Sequence, residues 1–193
     1  SNDDFPELGG DTTLEQCLKE TNEIGFSGIE AGGKFPKNSN ELIPKLEKEN
    51  LKLCSGWYGA NLLKNTVKEE ILIMKDQLDL FKECNAPCMV VAEVSGSIQG
   101  KVKIPLSKRP ILNVDEWKTF YNKISEISKY MQDSGVPLAY HHHMGTVVQS
   151  QEDTERLIDN TSDTVKLLID TGHMMFAGGD FVKIAKDYSS RLH

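Results

Sequence analysis

No run of about 18 uninterrupted apolar residues occurs in this 193-residue chain, which excludes a membrane-spanning helix. Positive charge is short as well. The 22 Lys and Arg are outnumbered by 29 Asp and Glu, for a net charge of −7, so the composition provides no basic surface for nucleic acid. Cysteine is scarce, and Cys17, Cys54, Cys84 and Cys88 are too scattered for a disulfide scaffold. A reducing, cytoplasmic location is the expectation. Cys84 and Cys88 bracket Asn-Ala-Pro and read as buried thiols rather than a metal or redox pair. The Ser1-Asn2-Asp3-Asp4 start lacks the basic and apolar regions of a secretion signal. No G-x-G-x-x-G turn follows a strand-like run, which argues against a dinucleotide-binding fold.

What is present is an alternation of helical and strand-like segments with no low-complexity tract or linker, so residues 1–193 read as one domain. Thr12-Thr13-Leu14-Glu15 has the form of a capping box opening a helix that Gly25 closes. Strand-like runs follow at 26–30, 51–57, 89–93, 137–142 and 165–170, with helices near 40–49, 113–134, 151–160 and 180–189. Thr66-Val67-Lys68-Glu69 is a second capping box. Its helix carries Val67, Ile71, Met74, Leu78 and Phe81 on one face, a core-packing stripe. A long loop, 94–112, is punctuated by Gly96, Gly100, Pro105 and Pro110, and Arg191-Leu192-His193 begins a further strand.

Repeated βα units with short apolar strands imply a parallel sheet covered by helices, either doubly wound or a (β/α)₈ barrel. The strand ends favour the barrel. Glu30, Trp57, Glu93, the histidine run and Asp170 with His173 all close strands. Only a barrel brings every strand end to one mouth. The chain opens on a helix and counts five strands, read as strands 2 to 6, whereas a full barrel takes about 250 residues. The expectation is therefore an incomplete (β/α)₈ TIM barrel.

Four of the five histidines fall in two places, His141-His142-His143 and Asp170-Thr171-Gly172-His173. Side chains alternate along a strand, so His141 and His143 share a face and His142 points away as a structural residue. His141, His143 and Asp170 are nitrogen and oxygen donors with no cysteine near them, a set that suits Mn²⁺, Co²⁺, Fe²⁺ or Zn²⁺. Glu30 and Glu93 could serve as acid, base or hydroxyl acceptor, and Lys34, beside Gly32-Gly33, could hold an oxyanion. Trp57 and Tyr58 offer flat surfaces for sugar C–H faces, and Arg109 in the long loop could contact a polyol.

These segments together resemble the inosose dehydratases of the xylose isomerase-like barrel superfamily. The resemblance runs through Asn2-Asp3-Asp4 with Pro6-Glu7-Leu8-Gly9-Gly10, Gly32-Gly33-Lys34-Phe35-Pro36, Ser55-Gly56-Trp57-Tyr58 and Ala92-Glu93-Val94-Ser95-Gly96. It continues through Pro105-Leu106-Ser107-Lys108-Arg109-Pro110, Tyr140 to Thr146, and Asp170 to His173 with Phe176 to Asp180. It implies a hydro-lyase that removes water from a cyclitol substrate, 2-keto-myo-inositol, to give a trihydroxycyclohexane dione. It also implies a Co²⁺ or Mn²⁺ cofactor, with glutathione as a further activator. In the superfamily Glu, Asp, His and Glu hold the metal; Asp170 matches the Asp, and His141 stands where the first Glu usually is. The remaining His and Glu would lie at or beyond the end of this chain. His143 and His173 become proton-transfer or hydroxyl contacts, with Glu93 and Lys34 as second choices and Glu30, Trp57, Tyr58 and Arg109 around the substrate. A homo-oligomer is compatible with this reading, and neither nucleic acid nor membrane is a partner. A sugar isomerase or epimerase on the same scaffold, or a fragment that only binds polyol, are the alternatives.

Overall fold

A computed structural model of the chain describes residues 7–193; the acidic Ser1–Asp4 start and the Asn2–Asp4 and Pro6 part of the resemblance lie outside them. Helices and strands alternate as α1 (Leu14–Glu23), β1 (Gly28–Ala31), α2 (Ser39–Lys48), β2 (Lys52–Ala60), α3 (Val67–Glu83), β3 (Met89–Glu93), α4 (Val114–Asp133), β4 (Leu138–His141), α5 (Gln151–Asp159), β5 (Lys166–Leu168), α6 (Thr171–Phe176) and α7 (Phe181–Asp187). The α3 capping box forms as its sequence requires: Thr66 Oγ1 accepts from the Glu69 amide at 3.3 Å, and Glu69 Oε2 accepts from the Thr66 amide at 2.8 Å. At α1 the cap sits one residue later than expected. Thr13 Oγ1 accepts from the Gln16 amide, and Glu15 pairs with Lys45 of α2 instead.

All five strands are parallel and lie side by side in chain order, β1-β2-β3-β4-β5. A doubly wound sheet reverses direction at a switch point, so unbroken winding is that of a barrel. Beyond β5, Leu192 makes a parallel bridge to Leu167, and the His193 amide donates to the Leu167 carbonyl. The segment expected to open a further strand therefore lies alongside β5.

The alternation of strand faces sorts the core from the site. Met89, Val91, Leu138 and Tyr140 join Phe81 of α3 and Phe120, Ile124 and Ile127 of α4 in the main apolar core. The α3 stripe is part of it, with Met74, Leu78 and Phe81 buried. Gly56 lets the helix approach: a Cβ there would stand 2.5 Å from Phe81 Cζ and 3.1 Å from Ala31 Cβ. The other face, with Ile29, Val90, His141 and Leu168, borders a cleft of about 820 Å³. Among the described residues no helix is long and apolar enough to cross a membrane. Cys88 is buried, its thiol pushed up to about 11 by that burial. Cys84 is half-buried.

Candidate metal centre

β4 delivers His141 and β5 delivers Asp170, at the carboxyl ends of neighbouring strands. The two strands pair until His141 stands beside Leu168. Past that point β5 turns into the six-residue helix α6, with Asp170 as its N-cap: Oδ1 accepts from the His173 amide at 2.7 Å. That short turn carries His173 back over the strand ends. His141 Nε2 lies 3.5 Å from Asp170 Oδ2, and His173 Nε2 lies 3.8 Å from the same oxygen. His141, Asp170 and His173 each bring a ligand-type atom within 4.8 Å of the others.

The rings pack in an ordered way. His143 lies 4.1 Å from His173, centroid to centroid, and His141 is set edge-on to both at 5.3 Å. Trp57 of β2 meets His141 and His143 at 5.6 and 5.5 Å. His142 points to the other face, as alternation requires, and is fully buried; its Nε2 accepts from the Asp170 amide at 3.3 Å.

Protonation follows from burial and hydrogen bonds. Burial, with the neighbouring imidazoles adding to it, pushes His141 down to about 4, so the ring is neutral at pH 7. Burial works to raise the Asp170 carboxyl, but the His173 amide and the nearby histidines hold it below its ordinary value. The Met144 carbonyl faces His143 Nδ1 at 2.9 Å. A carbonyl only accepts, so in the neutral His143 ring Nδ1 carries the proton and Nε2 the lone pair. The Met144 amide donates to His173 Nδ1 at 3.3 Å, so in the neutral His173 ring the proton sits on Nε2.

The donor set suits a divalent cation. His141 Nε2 is a buried nitrogen with no hydrogen-bond partner among the described residues, facing an ionised carboxylate. That donor pair has the chemistry and spacing to share a divalent cation. His173, whose Nδ1 lone pair is already engaged, is better matched to giving a proton than to ligation.

Trp57 and Glu30 also line the cleft, with Glu30 held by the Ser55 hydroxyl at 3.0 Å. Four expected site residues go elsewhere. Lys34 Nζ spends its donors on the carbonyls of Gly9 (3.0 Å), Gly10 (2.9 Å) and Thr12, stapling the N-terminal turn. Tyr58 points to the helix layer, its hydroxyl 2.6 Å from the buried carboxylate of Glu70. Glu93 is fully buried and accepts from the amides of Leu62 (2.6 Å) and Ser95 (2.7 Å), so its oxygens organise loops. Arg109 donates to the Thr146 and Val147 carbonyls and to Asp153 Oδ2 at 2.7 Å, fastening the loop that follows the histidines. Gln99, Phe35 and Cys17, none of them singled out by the sequence pattern, also line the cleft. The long loop carries Gln99 there by docking on Gly145, whose carbonyl accepts from the Ile98 amide at 3.0 Å.

The family model for the xylose isomerase-like TIM barrel matches residues 18–193. The chain belongs to that family. Proteins similar to it in sequence include the rhizopine catabolism protein MocC of Rhizobium meliloti, 40% identical over 192 residues, which cover 100% of this chain and 59% of that protein. Inosose dehydratase 2 of Bacillus cereus is 39% identical over 194 residues, covering 100% of this chain and 65% of that protein. The chain thus spans about three fifths of the length of these relatives. Among solved structures, a sugar phosphate isomerase/epimerase from Parabacteroides distasonis superposes with a TM-score of 0.74 at 15% identity, covering 98% of this chain and 70% of that one. The IOLI protein with a binding zinc atom gives 0.69 at 16%, covering 94% and 66%. At these identities the structures bear on the fold alone.

Proposed function

We propose that this chain carries the active-site half of a metal-assisted hydro-lyase acting on 2-keto-myo-inositol, releasing water and a trihydroxycyclohexane dione. The observation that carries the reading is the buried, unpartnered His141 Nε2 set 3.5 Å from Asp170 on the wall of an 820 Å³ cleft. The likeness to proteins named inosose dehydratase supports the choice of substrate.

His141 and Asp170 would hold the cation, whose chemistry is Lewis acidity toward the substrate carbonyl. The chain's own residues do the rest. His143 presents the lone pair of Nε2 and takes the proton from the carbon beside the carbonyl. His173 presents N–H at Nε2 and gives a proton to the departing hydroxyl, which leaves as water. Trp57 supplies a flat wall against the C–H face of the ring, and Glu30 accepts hydrogen bonds from its hydroxyls.

The test is product analysis with 2-keto-myo-inositol and Co²⁺ or Mn²⁺. A dicarbonyl product is expected, and Asp170→Ala should lose bound metal and turnover together. A rearranged monocarbonyl sugar would replace this reading with isomerisation, which begins with the same proton abstraction.

A further inference from the structure

We propose that His142 is the positioning residue of this site: it accepts the main-chain N–H of Asp170 and so fixes where that carboxylate points. The β4/β5 ladder ends at the pair His141 and Leu168. Beyond it β4 folds away, the His143 amide donating to the Val148 carbonyl at 3.0 Å. The main chain of β4 therefore has no acceptor to offer Asp170, two residues past the end of β5. The His142 side chain takes over, placing Nε2 3.3 Å from that amide from the buried face of the strand.

The ring's other nitrogen shows what this contact is for. His142 Nδ1 is buried and has no hydrogen-bond partner among the described residues. Leaving a polar nitrogen unpaired in a core is unfavourable, and Leu or Phe would fill the same volume without it. What the imidazole adds is an acceptor at one place. With His142 on its amide and the His173 amide on Oδ1 at 2.7 Å, Asp170 is held at both ends, leaving Oδ2 directed at His141. Groups that orient metal ligands in this way usually govern affinity about 10–100-fold.

The consequence for metal rests on Asp170 being a ligand, so the test separates the two. In the full chain, His142→Leu should raise amide hydrogen exchange at Asp170 at least about 10-fold, and His142→Gln, which keeps an acceptor at the Nε2 position, should stay close to wild type. Co²⁺ titration should show about 10–100-fold weaker binding for the Leu variant and recovery in the Gln variant. Unchanged exchange at Asp170 in the Leu variant would overturn the proposal, and so would faster exchange with undiminished Co²⁺ affinity. A wild-type chain that binds no Co²⁺ would instead sink the ligand reading, with exchange still deciding the anchor. Should His142→Leu fail to fold, the imidazole ¹⁵N shifts of the wild type decide: a proton on Nδ1 is expected, and a proton on Nε2 refutes the contact.

Discussion

Met144 touches both rings that would move protons, its carbonyl facing His143 and its amide facing His173, so one residue's main chain assigns them opposite tautomers. If that assignment governs the chemistry, His143→Ala and His173→Ala should each keep the metal and lower kcat by about 10²–10⁴. Steady-state kinetics with metal analysis checks this; a change confined to KM would make the ring a binding group. The facing of these histidines was legible because strand side chains alternate, and His142 duly turns into the core. The fates of Lys34, Tyr58, Glu93 and Arg109 were not. Each is a long or polar side chain whose partners are main-chain groups or a carboxylate elsewhere in the chain, and a sequence does not say which carbonyl a lysine will find. Glu93 gives a further test. Burial raises its pKa above 4.5 despite the amides that favour the anion. Its contribution to stability is then full below about pH 4.5 and falls as pH rises through the raised native value. Urea denaturation should therefore show the stability of Glu93→Gln improving relative to wild type as pH increases across that range.

Among the elements, the loop after β4 is where the site is most dependent on contacts distant in sequence. Arg109 and Asp153 are only 13% and 16% exposed, and Arg109 also binds two carbonyls of that loop. Removing the guanidinium leaves a half-buried carboxylate and two carbonyls without their donor, so Arg109→Leu should cost about 3 kcal/mol. Urea midpoints measure it, and protease cleavage within 144–148 should rise. Gly and Pro marked 94–112 as a loop, but nothing in its composition said that it docks on Gly145 and brings Gln99 to the cleft. Helix α6 stands where the sequence pattern predicts loop, because Thr-Gly-His has little helical preference. It forms because the Asp170 side chain caps it, a property of one residue rather than of the segment's average. For the same reason β5 is shorter than its apolar run.

At the scale of the molecule, the strand count and order matched the periodicity of the sequence, since short apolar strands separated by amphipathic helices leave few ways to wind. Among the described residues β1 is paired on one side only, and the cleft wall beside it includes Ile29 and Phe35. Such an edge invites pairing with another chain. The 193-residue polypeptide should therefore elute from size-exclusion columns as an associated species. A compact monomer would contradict this.

Strand order equal to chain order also sets a timetable. Domains are laid down from the N-terminus as they are made, and here each new strand has its neighbour already waiting. β1 to β3 pair with one another before β4 exists, whereas His141 is synthesised a full helix ahead of Asp170. Until Asp170 docks beside β4, the nascent polypeptide has one of the two proposed ion ligands without the other. Capture of a stray cation should therefore come last on the ribosome, after the hydrophobic framework that gives the site its shape.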